Sequence, residues 1–250
     1  MAPPSELAAA FVDFPGRGRR FSAPGRIGFA DTGPDRRLRL DALARMVQDA
    51  GTEDLTDAGF DPASPWVLRR AAVWVPGPWP TLGEAVTVTT FCAGLCARWG
   101  ERRTTVASPS ARVEISAVWI FLDEQGRPAR LGQAFLDVYG PSAGGRTTSS
   151  RLGHPGPPPD ADGEAWPLRR SDLDAFGHVN NAALWIPAEE ALAAEALVPQ
   201  VAELEFRAPV AAGDAVSLAR RRHGDELWVW IRSGGQVRAS ARLTGAPSER

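Results

Sequence analysis

Between Ser171 and Ala191 the run SDLDAFGHVNNAALWIPAEEA gathers most of the side chains that can do chemistry: Asp172, Asp174, His178, Asn180, Asn181, Glu189 and Glu190. A carboxylate such as Asp174 can take a proton from water or attack an electrophile directly. An imidazole changes charge near neutral pH, so His178 can orient water, donate to a carbonyl or protonate a leaving group. A histidine bonded only to backbone would fit the same pattern. Asn180 and Asn181 are residue types that cap helices, and capping alone can account for one of them. Backbone N–H groups from Gly177 to Asn181 lie where a helix should begin, and such groups suit a developing oxyanion. Glu190 falls over two turns beyond Asn181 and can bond back to the loop or to a facing unit, in support or in catalysis.

Composition narrows the chemistry. The chain has 250 residues, enough for one large or two small domains with a real core. All 28 basic residues are Arg. Without Lys there is no P-loop and no Schiff base. His154, His178 and His223 are too few and too scattered for a histidine-built metal site, and Cys92 and Cys96 lack a second pair for structural zinc. These two read as buried thiols. No cofactor is expected. A net charge of -2 and the absence of a basic face with stacking aromatics speak against nucleic acid. The N-terminus has no basic region followed by an apolar core, and no apolar run approaches the ~18 residues of a membrane span. A soluble cytoplasmic protein is expected.

The elements that would carry the reactive run occur twice. Arg20–Ala30 reads as a strand, Arg36–Ala58 as a helix with Leu40, Leu43, Val47 and Ala50 at helical spacing, and Gly59 closes it. Strands are expected at 66–75, 85–91, 98–106 and 112–122, with Val113, Ile115, Ala117, Trp119 and Phe121 on one face. A short helix is expected at 131–139. After a Gly/Pro/Ser-rich stretch, strand 166–170 leads through the reactive run into a helix ending near Leu197. Pro187 should kink that helix. Strands at 201–207, 215–222, 226–232 and 236–243 complete the second round. An antiparallel sheet must bury one face, and one long helix per unit is the obvious cover. The fold class is therefore α+β, a sheet wrapped around a helix, two times over.

At this point the chain resembles a family. DLDAFGHVNNAALWIPAEEA looks like the signature before the central helix of hotdog-fold thioesterases, including those of the 4-hydroxybenzoyl-CoA thioesterase type. The double unit narrows the resemblance to acyl-acyl carrier protein thioesterases, which carry two hotdog repeats. WVLRRAAVWV, WPTLGEAVTVTT, GERRTTV, LRLDALARMVQDAG and AELEFRAPVAAGDAV are similar to family segments in order and spacing. The likeness runs from about Phe21 to Leu243. It implies Asp174 as the catalytic aspartate and His178 as its histidine, with Asn181 and Glu190 on the helix. Plant members carry an Asn where Phe176 stands here, and a Glu-Cys pair where Pro209 and Val210 stand. The complete plant-type arrangement is thus not expected, and a simpler Asp-centred site is.

Composition, element order and the resemblance together set the expectations. They are a disordered segment at 1–18, a first hotdog unit at 19–139, a flexible linker at 140–165 with His154 a spectator, and a second, catalytic unit at 166–245. The first unit, lacking a His or paired Asn before its helix, would lend the acyl pocket, with Met46, Val47, Val73, Trp74, Trp119 and Phe121 as candidate linings. Arg69, Arg70, Arg102, Arg103 and Arg220–Arg222 can meet an acidic carrier protein or a CoA phosphate, or simply face solvent. The expected activity is hydrolysis of acyl-carrier-protein or acyl-CoA thioesters by a monomer or homodimer, with neither nucleic acid nor membrane as partner. A double-hotdog enoyl-thioester hydratase and a non-catalytic acyl-thioester binder are the alternatives.

Overall fold

The computed structural model describes residues 3–5, 7–161 and 163–248. Alternation in the sequence becomes alternation across a sheet. In β3 (Ala85–Leu95) Val86 and Val88 are buried while Thr87 and Thr89 point the other way. In β5 (Arg112–Phe121) Val113, Ile115 and Ala117 form an inward row. Period two places these side chains on one face. With β1 (Arg20–Arg26), β2 (Trp66–Trp74) and β4 (Trp99–Ala107), the first half has the strand order β1-β3-β4-β5-β2.

The second half repeats this order in reverse. β6 (Glu164–Trp166), β7 (Leu197–Phe206), β8 (Val216–His223), β9 (Glu226–Ser233) and β10 (Gln236–Pro247) run β7-β10-β9-β8-β6. The halves join where β2 pairs with β7, from Arg70 opposite Glu205 to Trp74 opposite Val201. One ten-stranded antiparallel sheet results, with an approximate twofold at that seam. Helix α1 (Leu40–Asp57) covers the inner face of the first half through Leu40, Leu43, Val47 and Ala50. Helix α3 (Ile186–Ala194) does the same for the second through Ala188, Ala191 and Leu192. Helix α2 (Gln133–Ala143) packs Tyr139 and Ala143 beside Cys92 of β3. This is the expected double hotdog.

Four expectations are corrected. The second helix is short: a 3-10 turn at Ala183–Trp185 leads into α3, and β7 has begun by Leu197. Pro187 therefore sits in the first turn, where its missing N–H costs nothing, and starts the helix instead of kinking it. The N-terminal segment, of which positions 1, 2 and 6 lie outside the described residues, packs on the outer face of the sheet. Leu7 is buried against Ala72 and Val201, Phe11 meets Trp74, and Phe14 meets Phe91 edge-on. Stretch 146–160 is likewise no free linker. It must travel from β3 to the far edge at β6, eight strand spacings of about 4.8 Å, and it crosses the outer face on the way. Thr148 O accepts from Trp99 Nε1, Glu205 accepts the N–H groups of Gly153 and His154, and Pro155 O accepts from Trp230 Nε1. His154 Nδ1 lies 3.0 Å from Ser240 O, with its ring edge-on to Trp228.

Several charges are internal ties. Asp54, fully buried, pairs with Arg19 and Arg102 and accepts from the Tyr139 hydroxyl. Arg103 pairs with Glu114. Arg102 and Arg103 are thus unavailable as a phosphate-binding surface. Burial pushes the Cys92 thiol up to about 11, which keeps it protonated and inert. Cys96 is only half-buried and donates to Thr148 O.

Candidate active site

The reactive run forms a tight turn before α3. Leu173 bridges Val179, His178 bridges Ala211, and the tip between them turns at Gly177, whose φ of 77° suits a residue without a Cβ. Asp174 closes this tip. Its Oδ1 accepts from Phe176 N at 2.9 Å and from His178 N at 3.2 Å, and its own N–H donates to His178 O at 2.8 Å. Asp174 is half-buried, and its Oδ2 has no partner among the described residues. One oxygen is anchored and the other is available to a water. His178 is exposed, and its ring makes no hydrogen bond to a described residue.

The two asparagines separate into two tasks. Asn180 Oδ1 accepts from Ala182 N at 2.8 Å and caps the helix start. Asn181 instead lines a narrow apolar cleft with room of about 30 Å³. The cleft runs between α1 and strands β2 and β5. Leu40, Leu43, Val47, Leu68, Val73 and Trp119 are among its walls, and Ala182 and Trp185 close it from the second unit. Of the candidate linings, Val47, Val73 and Trp119 face this cleft. Trp74 belongs to the outer face with Phe11, and Met46 and Phe121 are not among the residues that line it.

The expected row of oxyanion donors shrinks to one. Gly177 N–H is taken by Asp174 O, His178 N–H by Asp174 Oδ1, Val179 N–H by Val210 O and Asn180 N–H by Asp172 O. Asn181 N–H alone in that run has no acceptor among the described residues. Glu190 is also corrected: it is exposed and makes no hydrogen bond with a described residue. Because α3 starts at Ile186, the neighbouring Glu189 faces inward. Its carboxylate takes Arg37 Nη1 at 3.1 Å and Nη2 at 2.6 Å, and also the Leu40 N–H at the start of α1. Val210, at the plant-type cysteine position, is core, while Phe176, at the asparagine position, is 73% exposed.

Arg37 and Glu189 were missed because 152 positions separate them. A signal existed in the repeat. Residues 28–40 and 169–181 share one hydrogen-bond pattern. Gly28 N–H to Asp31 Oδ2 matches Arg169 N–H to Asp172 Oδ2, and Arg39 N–H to Asp31 O matches Asn180 N–H to Asp172 O. Bridges Thr32–Leu38 and Arg37–Thr81 match Leu173–Val179 and His178–Ala211. The same register pairs Arg37 with His178 and Leu40 with Asn181, and carried on along the chain it pairs Gln48 with Glu189.

Comparison with known proteins bears on the family and the fold. The sequence model of the acyl-ACP thioesterase N-terminal domain matches residues 18–139, and that of the C-terminal domain matches residues 159–244. An uncharacterized protein of Mycobacterium tuberculosis is 30% identical over 243 residues, covering 95% of this chain and 97% of its own. The 12:0-ACP thioesterase from Umbellularia californica shares the fold with a TM-score of 0.75 at 18% identity, over 94% of this chain and 100% of that one. An acyl-ACP thioesterase from Bacteroides thetaiotaomicron has a TM-score of 0.75 at 17% identity, over 91% and 98%. With both family domains matched in order across the two halves of one sheet, the chain belongs to the acyl-ACP thioesterase family.

Proposed function

We propose that this thioester hydrolase works in the cleft between α1 and the first-unit sheet, with the Asp174 turn supplying the base. The observation that carries the reading is the half-anchored Asp174: Oδ1 is fixed by two backbone N–H groups, while Oδ2 is free. A fixed carboxylate beside solvent is suited to taking a proton from water as the water oxygen attacks the thioester carbon. The C–O bond forms, the tetrahedral centre collapses with loss of the C–S bond, and the proton held by Asp174 passes to the thiolate. His178, exposed beside the same turn, orients the water or relays that last proton.

The cleft suits an apolar acyl group. Its walls are aliphatic or tryptophan, and its polar groups are the amides of Asn181 and Gln48. An alkyl tail there gains from burial while the polar carbonyl stays near Asn181. Both helices that bound the site come from one chain, so a monomer suffices. No helix among the described residues is long and apolar enough to cross a membrane. Release of fatty acids from acyl carrier protein in the cytoplasm, as a step of fatty-acid synthesis, fits these features.

The test is free-thiol release from matched acyl-carrier proteins and acyl-CoAs across chain lengths. Release from the carrier-protein series supports the reading. Tight acyl binding without thiol release at any length overturns it in favour of a binding protein, which Phe176, Pro209 and Val210 in place of the plant-type residues would then explain.

A further inference from the structure

Resting on that reading, the matched repeats identify a second polar contributor to the site. In the first copy, the helix-start N–H of Leu40 is consumed by Glu189, which reaches across from α3. In the second copy, the equivalent Asn181 N–H is open, and the α1 residue at the matching position, Gln48, lines the same cleft. Gln48 follows Leu40 at the interval at which Glu189 follows Asn181. It is half-buried, lines the same cleft as Asn181, and its side-chain amide has no hydrogen bond to any described residue. The amide is therefore free to donate to a polar group of a ligand that enters the cleft.

We propose that the Gln48 side-chain N–H and the Asn181 N–H together hold the thioester carbonyl oxygen, so that the first unit supplies half of the oxyanion cradle. The neutral amide matters. A carboxylate here would take the Asn181 N–H for itself, as Glu189 takes that of Leu40, and would repel the charge that develops on the oxygen. A carboxamide donates without repelling. Gln48 is then a catalytic residue lent by the unit that has no base of its own.

The deciding substitution is Gln48→Glu, which keeps shape and reverses the electrostatics; Gln48→Ala covers the case in which the new carboxylate unfolds the protein. Each should lower kcat for acyl-carrier protein by roughly 10²- to 10³-fold, with KM changed less than about threefold. The second readout is binding of two acyl-pantetheine analogues. One is a fluorinated ketone that hydrates to a tetrahedral, oxyanion-like centre. The other is a thioether with no carbonyl. The proposal requires the ketone to lose about as much affinity as kcat loses, while the thioether binds unchanged. A kcat within about threefold of wild type, or equal weakening of both analogues, overturns it. If the wild-type protein releases no thiol at all, the hydrolase reading fails, and the split between the analogues still decides the role of Gln48.

Discussion

The turn before α1 and the turn before α3 have the same backbone and different consequences. Each turns on a residue at positive φ, Arg36 at 64° and Gly177 at 77°, and each is clamped by an aspartate at its base, Asp31 or Asp172. The side chains then diverge. Gly33 stands where Asp174 stands, Arg37 where His178 stands and Leu40 where Asn181 stands. In the first copy Arg37 and Glu189 form a buried ion pair over the helix start, with Arg37 stacked on Trp79 at 5.1 Å. In the second, the corresponding space is open to a cleft with two free amides. Duplication thus provided two equivalent scaffolds, one sealed by charge and the other left able to bind. On the proposed reading, a few side chains separate the structural joint from the reactive one, and each can be changed alone.

The strongest break in the comparison is removal of the proposed base. Asp174→Asn keeps an oxygen that can accept from Phe176 N and His178 N, so the turn should hold, while the proton acceptor is lost. The expected loss in kcat is about 10³- to 10⁴-fold, equivalent to roughly 4–5.5 kcal/mol. The melting temperature should stay near that of wild type. Steady-state hydrolysis alongside a thermal melt measures both. Retained turnover would return the second turn to the same structural status as the first.

The sealed copy should answer in stability. Arg37 and Glu189 are each about nine-tenths buried, so Glu189→Ala leaves a buried guanidinium whose remaining carboxylate contact is Asp35 at 3.3 Å. Breaking a buried pair from one side costs about 3–5 kcal/mol, or very roughly 10 °C in Tm for a chain of this size. The double variant Arg37→Met with Glu189→Leu should recover most of it, because apolar replacement of both partners is often neutral. A thermal melt of the two variants separates these outcomes. Equal destabilisation of single and double variants would mean that Glu189 acts through the Leu40 N–H alone, and that the ion pair is not the seal.

The same contrast explains which parts could be read from sequence. Strands showed because an apolar helix covers one face, which forces alternation at Val86/Thr87/Val88 and at Val113/Ile115/Ala117. The reactive turn showed because Asp, Gly, His and Asn cluster there. Glu189 did not, since choosing between adjacent glutamates on α3 requires knowing that the helix begins at Ile186 and which side meets α1. The covering stretch 146–160 was hidden for another reason. It is held largely through backbone groups, such as the N–H groups of Gly153 and His154 on Glu205, and composition does not report on those. Gln48 did not stand out, because one glutamine on an amphipathic helix is ordinary until its counterpart, Glu189, is known.

The smallest expected effect concerns the covers over the two outer faces. The first half is covered by Leu7, Phe11 and Phe14, which do not titrate. The second is crossed by the stretch that carries His154. Burial drives the His154 imidazole below its ordinary value of 6.5, with Arg242 adding to that, and the pull of Glu205 and Glu203 does not reverse it. The folded protein therefore refuses a proton that the unfolded chain accepts. This contribution is present above pH 6.5 and is lost as the pH falls through the lower folded value. Amide exchange at Gly153 and His154, corrected for the intrinsic pH dependence of exchange, should thus speed up by roughly tenfold or less on acidification from neutral pH toward 5. Exchange in residues 7–14 should not change. His154→Gln, neutral at every pH, should flatten the response while leaving the hydrogen bonds of Glu205 to the backbone in place. An equal acid response in both covers would show that carboxylates shared by the whole sheet, and not His154, set the pH sensitivity of the outer face.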